Sequence, residues 1–344
     1  MSRARWIWLV AITVLVAAAY GSAQVFKAPE IVLPPAKPLT ASPEELEVLP
    51  GYESGPLHME RSGELVLTHA DERTTSIRVF YPNQYPPFPV IVFSPGFGSG
   101  KDQYDAVIEH WVSFGYIVVA TDHADSGGTV SAIMASIDLG EMGLIKSRVQ
   151  DVTLVMNSLE TVDGGKIHEL GNLKQVVAAG HSFGALIAQM MAGAVAVSEE
   201  GEVAAYQGPP VEAVVALSPP GEMFDVIKAE SWSNMRGPAL MTTGTWDVDA
   251  RFWTDWTAHL LSFENAKAGE QYALVVDGAD HYLGNLICRL DRNEPPQHDA
   301  LAMVNTVTAA FLNAYIRQDP DSQRLLKNKS LEEVTGNYAQ LRRR

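Results

Sequence analysis

The stretch VVAAGHSFGALIAQMMAG, Val176 to Gly193, decides how the rest of the chain is read. Its first part is a short apolar run, its last part is rich in alanine and methionine, and between them stands Gly180-His181-Ser182-Phe183-Gly184. A strand, a sharp turn and a helix account for that order. A G-x-S-x-G turn in this setting strains the serine backbone and needs the neighbouring glycines to avoid clashes. It also leaves the hydroxyl clear at a helix N-terminus. Ser182 is therefore the candidate nucleophile.

A serine hydroxyl is a weak nucleophile at its own pKa, and it needs a histidine base that is itself held by a carboxylate. On a sheet carrying such a turn, the acid and then the histidine follow the serine along the chain, each past the C-terminal end of a strand. After PALMTTG (238–244) comes TWDVDA, which offers Asp247 and Asp249. Asp247 stands first past the strand and is preferred, with Asp249 read as an N-terminal charge or cap of a helix over DARFWTDWTAHLL. After YALVVDG (272–278) comes ADHYLGN, which offers His281 as the base. Asp277 and Asp280 rank below Asp247, because sequence neighbours rarely reach the far ring nitrogen. His123 precedes the serine, His181 is a turn residue beside it, His259 lies in a predicted helix and His298 just ahead of one.

Working outward, eight short runs read as strands: ELVLTH (64–69), SIRVFYP (76–82), PVIVFS (89–94), YIVVATD (116–122), QVVAAGHS (175–182), AVVALS (213–218), PALMTTG and YALVVDG. The first two alternate apolar and polar residues, as half-buried antiparallel strands do, and the later ones are continuously apolar, as central parallel strands are. Helical patterns lie between them. Val149, Val152, Met156 and Leu159 fall on one face of RVQDVTLVMNSLE, and DALAMVNTVTAAFLNAYI repeats the device. The expected fold class is α/β, a mostly parallel eight-stranded sheet with helices on both faces. Two longer connections, 123–145 and 194–211, interrupt the rhythm.

FSPGFGSGKD, Phe93 to Asp102, resembles a phosphate loop only superficially. Pro95 stands where the Walker pattern needs its first glycine, Asp102 where it needs Ser or Thr, and Lys101 where a dinucleotide fingerprint needs its third glycine. The loop instead follows the third strand, where acyl-transfer chemistry on such a sheet needs a backbone N–H for an oxyanion. Gly96 and Gly98 let Phe97 turn its N–H toward the site, and the Phe183 N–H, just after the nucleophile, is the second donor. Lys101 is read as a solvated residue at the next helix start. The chemistry calls for no metal and no organic cofactor.

The ends differ from the middle. Residues 1–23 have a basic start, an apolar run from Trp6 to Tyr20 and small residues at Gly21 and Ala23. That is the pattern of a signal peptide, and the apolar run is shorter than the roughly 20 residues of a spanning helix. A secreted or periplasmic protein without stable membrane insertion follows, with an N-terminal anchor as the alternative. Residues 24–58 read as an extended, proline-rich leader, 59–317 as the catalytic domain, and 318–344 as a charged tail of one short helix and then disorder. Net charge over the 344 residues is −16, which repels nucleic acid. Cys288 is the only cysteine, so no internal disulfide forms; it reads as a buried apolar residue.

PVIVFSPGFGSGKDQY, FGYIVVATDHADSGGT, RVQDVTLVMNSLE, GHSFGA, TGTWD and GADHY together resemble the α/β-hydrolase superfamily over about residues 60–316. Within it they look most like platelet-activating-factor acetylhydrolase-like esterases, chlorophyllases and cutinase-type polyester hydrolases. The resemblance implies Ser182 as nucleophile, Asp247 as acid, His281 as base, and Phe97 and Phe183 as oxyanion donors. The expected function is an exported serine carboxylesterase acting on a small-molecule, lipid or polymeric ester. Polyester or cutin hydrolysis, a lipid-directed acetylhydrolase and a non-catalytic binding protein on the same scaffold are its rivals. Trp246 and Trp232 are candidates to line the acyl site, Trp246 the preferred one. Pro95 departs from the histidine that many relatives carry there, and the single cysteine excludes the C-terminal disulfide common among the polyester hydrolases.

Overall fold

A computed structural model describes residues 31–84 and 87–344; the signal peptide expected at 1–23 lies outside the described residues. Among the described residues, twelve strands run in chain order: β1 (Met59–Arg61), β2 (Leu65–Thr68), β3 (Thr74–Pro82), β4 (Phe88–Ser94), β5 (Ile117–Thr121), β6 (Gly171–His181), β7 (Val195–Val197), β8 (Val203–Ala205), β9 (Ala213–Leu217), β10 (Ala239–Gly244), β11 (Gln271–Val276) and β12 (Ala339–Arg343). Ten form one sheet in the order β1-β3-β5-β4-β6-β9-β10-β11-β12, with β2 also paired to β3. The middle of that sheet, from β5 through β11, is parallel throughout. β1, β2 and β3 are antiparallel at one side and β12 at the other. All eight expected runs are strands of this sheet.

Side chains alternate across a strand, so each continuously apolar run feeds two cores. Val90, Val92, Val119, Ala178, Val214 and Met241 face one layer, packed with the helix carrying Val149, Val152 and Met156 and with the helix Phe183–Met191. Ile91, Phe93, Val118, Val177, Val215 and Leu240 face the other, packed with helices Asp105–Ser113 and His298–Ile316. Each such buried aliphatic side chain contributes roughly 1.5–3 kcal/mol relative to exposure. These two layers hold the C-terminal ends of β4, β6, β10 and β11 together as a rigid rim.

Four expectations are corrected. The 123–145 connection is mostly helical: Thr129–Ser158 is helical apart from a kink at Gly140, whose φ of 66° breaks the run. Residues 249–261 do not form one helix. Asp249 bridges to Trp253, a 3-10 turn follows at Trp256–Leu260, and Asp255, not Asp249, caps it by accepting from the Thr257 N–H. The tail is ordered, with helices Pro320–Lys327 and Ser330–Val334 and then β12, whose Ala339 and Leu341 are buried. The leader is not wholly extended either: Ser42 and Glu45 form a capping box on the short helix Pro43–Leu46, and Leu46 and Leu49 reach the second core layer.

Candidate active site

β6 ends in the turn expected of it. Ser182 has φ 54° and ψ −121°, a conformation that costs an L-residue about 1–3 kcal/mol, and it stands at the N-terminus of the helix Phe183–Met191. The flanking glycines are sterically required. A Cβ on Gly180 would lie 2.2 Å from the Gly184 carbonyl oxygen, and one on Gly184 would lie 1.9 Å from the Ser94 carbonyl oxygen.

Asp247 follows β10 and His281 follows β11, and the fold brings them together. Asp247 Oδ1 is 2.7 Å from His281 Nδ1, and Asp247 Oδ2 accepts from the Thr243 hydroxyl at 3.1 Å. Asp247 is fully buried, whereas Ser182 and His281 keep 7% and 8% of their surface exposed, enough to meet a small reactant. Burial alone would raise the Asp247 carboxyl pKa, but the imidazoles of His259 and His281 outweigh it and hold the group well below its ordinary value. With Nδ1 engaged by the carboxylate, His281 keeps Nε2 for a proton from a substrate or nucleophile. The Ser182 hydroxyl makes no hydrogen bond to any described residue, so it is not joined to the imidazole in this structure. Such contacts are often long before substrate binds.

The Phe97 and Phe183 backbone N–H groups also lack an acceptor among the described residues, Phe183 because it opens its helix. An unpaired amide in a packed region is costly, and such donors are what a developing oxyanion requires.

A model of the alpha/beta hydrolase family matches residues 91–336. The chain belongs to the α/β-hydrolase family. No curated protein matches it. In this hydrolase the other acids considered are engaged elsewhere. Asp249 pairs with Arg251, Asp277 accepts from the Thr245 hydroxyl and the Lys37 N–H, and Asp280 accepts from the Tyr282 and Gly284 N–H groups. His123 is buried between the Ser94 hydroxyl and Asp151, each at 2.8 Å. Trp246 donates its indole N–H to the Pro34 carbonyl of the leader, and Trp232 is fully buried with its N–H on Gln189. Lys101 is not solvated: it is 6% exposed, with its ammonium 2.8 Å from Asp122. Cys288 is buried, which pushes its thiol pKa up and leaves it a poor nucleophile.

Three contacts of the hydrolase site were not foreseen in the sequence. His259 Nε2 lies 2.9 Å from Asp247 Oδ1 and 3.1 Å from the Asp247 carbonyl, while its Nδ1 lies 2.7 Å from the Pro219 carbonyl. Both ring nitrogens meet only acceptors, so both carry protons and the ring is an imidazolium. Burial disfavours that charge, but the Asp247 carboxylate and the carbonyls prevail and the pKa is raised. Trp253 covers His259 and His281, with ring centroids 4.7 and 5.0 Å away. His181 Nε2 donates to the His281 carbonyl at 2.8 Å, and its Nδ1 meets Tyr104 Oη at 3.1 Å; burial, with His281 beside it, pulls its pKa down to about 3 and keeps it neutral. Asp247, His259 and His281 are compact enough to hold a metal ion. Their separations of 2.7 and 2.9 Å are those of shared protons, since ligands bound at about 2.0–2.1 Å stand farther apart.

Proposed function

We propose that this hydrolase is an exported serine carboxylesterase. The observation that carries the reading is the buried Asp247 carboxylate 2.7 Å from His281 Nδ1, and the strained Ser182 turn and the two unpaired amides support it. In this reading Ser182 Oγ attacks the ester carbonyl as His281 Nε2 takes its proton, and Asp247 holds the imidazole tautomer and its charge. The Phe97 and Phe183 N–H groups receive the oxyanion, a donor pair of which each member is typically worth 10²- to 10³-fold in rate. His281 returns the proton to the departing alcohol. Water then repeats the attack on the acyl-serine and frees the acid, and no metal or cofactor enters any step.

The test is a panel of chromogenic esters from acetyl to palmitoyl, run with a serine-reactive fluorophosphonate. Wild type is expected to turn over the short esters and take up the probe, with Ser182→Ala unlabelled and His281→Ala slower by about 10³-fold or more. Equal labelling of Ser182→Ala and wild type would remove the nucleophile from the scheme. Export is tested separately, by N-terminal sequencing of the mature protein, expected to begin after Ala23.

A further inference from the structure

Resting on the esterase reading, we propose that the buried Arg148–Asp125 pair positions the anion-binding loop by fixing the plane of the Gly96–Phe97 peptide. Arg148 lies on the helix after the Gly140 kink, and both side chains are completely buried. Its Nε donates to Asp125 Oδ1 at 2.8 Å and its Nη2 to Asp125 Oδ2 at 2.5 Å. The remaining donors turn to the loop, Nη1 to the Pro95 carbonyl at 2.7 Å and Nη2 to the Gly96 carbonyl at 3.1 Å. Asp125 Oδ2 closes the circuit by accepting from the Gly98 N–H at 3.1 Å.

The Gly96 carbonyl and the Phe97 N–H belong to one peptide unit, and in a trans peptide they point in opposite directions. Holding that carbonyl on the guanidinium therefore turns the Phe97 N–H away from Arg148, to the side where it has no protein acceptor. This peptide rotates through ψ of Gly96 and φ of Phe97, and the glycine eases that rotation, so an external restraint fixes the plane. The Ser99 N–H also reaches the Gly96 oxygen, at 3.1 Å, but it belongs to the same loop and moves with it. Arg148 is anchored outside. Its guanidinium carbon also sits 4.2 Å from the centre of the Phe183 ring, so one cation meets both the Gly96–Phe97 peptide and the residue that carries the second amide.

Stability alone is a weak explanation for such a pair, because replacing a buried ion pair by apolar residues is often neutral or stabilising. A lysine would supply the charge but not the planar fork that holds a carboxylate and two carbonyls at once.

The experiment compares wild type with Arg148→Lys, Arg148→Met and Asp125→Asn, measuring kcat, KM, melting temperature and inhibition by a trifluoromethyl ketone, which forms a tetrahedral oxyanion on the serine. Expected are a fall in kcat of roughly 10- to 100-fold for both Arg148 variants, a smaller fall for Asp125→Asn, and KM within about threefold of wild type. The ketone's inhibition constant should rise in step with the loss of kcat/KM. If Arg148→Met does not fold, Arg148→Lys and Asp125→Asn carry the same comparison. Variants that lose thermal stability yet keep wild-type kcat, or keep their affinity for the ketone while kcat falls, would overturn the positioning role and leave the esterase reading intact. A wild-type protein that neither hydrolyses esters nor labels with the fluorophosphonate overturns both.

Discussion

At the scale of single residues, the site differs from a simple Ser-His-Asp array by one charge. His259 donates to the same carboxylate oxygen as His281, so Asp247 sits between a fixed imidazolium and the imidazole that would exchange protons. A group whose folded pKa is raised stabilises the fold fully below its unfolded pKa, about 6.5 for histidine, and loses that contribution as pH rises through the folded pKa. Thermal scans of wild type and His259→Gln should therefore differ most below about pH 6.5 and converge under alkaline conditions. A gap that widens with pH would contradict a charged His259. Ester turnover by His259→Gln should fall by about tenfold at neutral pH, because a neutral amide holds the carboxylate less firmly. The Asp247–His281 contact and the strained turn at Ser182 were legible because each of the three residues sits just past a strand whose apolar run is unmistakable. His259 was not, because its approach to Asp247 depends on an irregular chain path from Val248 to Leu260, set by the Asp249–Trp253 bridge and the stacking of Trp253. Trp246, the aromatic preferred for the acyl site, has its indole N–H held by the Pro34 carbonyl.

At the scale of elements, the parallel core was readable since continuously apolar β-branched runs have few other homes. The edges were not. GNYAQLRRR reads as solvated tail by charge, yet alternation puts Ala339 and Leu341 inward and Gln340 and Arg342 outward, with Arg343 exposed at the strand end, an edge strand with two buried apolar residues. Pairing with β11 supplies what the sequence pattern could not show. Deleting residues 338–344 uncovers the outer side of β11 and the buried Tyr338 and Leu341. Burial of one such side chain is worth roughly 1.5–3 kcal/mol, so calorimetry should show a melting temperature lower by about 5 °C or more, with increased aggregation on heating. An unchanged melting curve would mean that β12 contributes nothing to the sheet's stability. The kinked helix was missed for a different reason: Gly140 and the exposed Val130, Met134 and Ile137 interrupt the amphipathic pattern that identifies its second half.

At the scale of the whole molecule, the functional unit begins before β1. Pro34 receives the Trp246 indole N–H, the Lys37 N–H reaches Asp277, and Leu46 and Leu49 are each 2% exposed against the second core layer. The first two contacts bear on the loops that carry Asp247 and His281, so the leader joins the thermodynamics of the core to the geometry of the site. Composition hid this, since proline-rich, aperiodic sequence is the mark of a linker and gives no sign of a docked strap. A chain starting at residue 31 should melt as the full-length chain does, whereas one starting at residue 50 loses two buried leucines, about 3–6 kcal/mol together. Its melting temperature should fall by roughly 5–15 °C. Because Trp246 and Asp277 lose their partners, kcat for a short ester should drop severalfold at 20 °C, where the shortened chain is still folded. Leu46→Ala and Leu49→Ala in the full-length chain separate the two effects: they should reproduce the thermal loss while leaving kcat near wild type, because Pro34 and Lys37 remain. Equal kcat for the chains starting at 31 and 50 would confine the leader to a purely stabilising role.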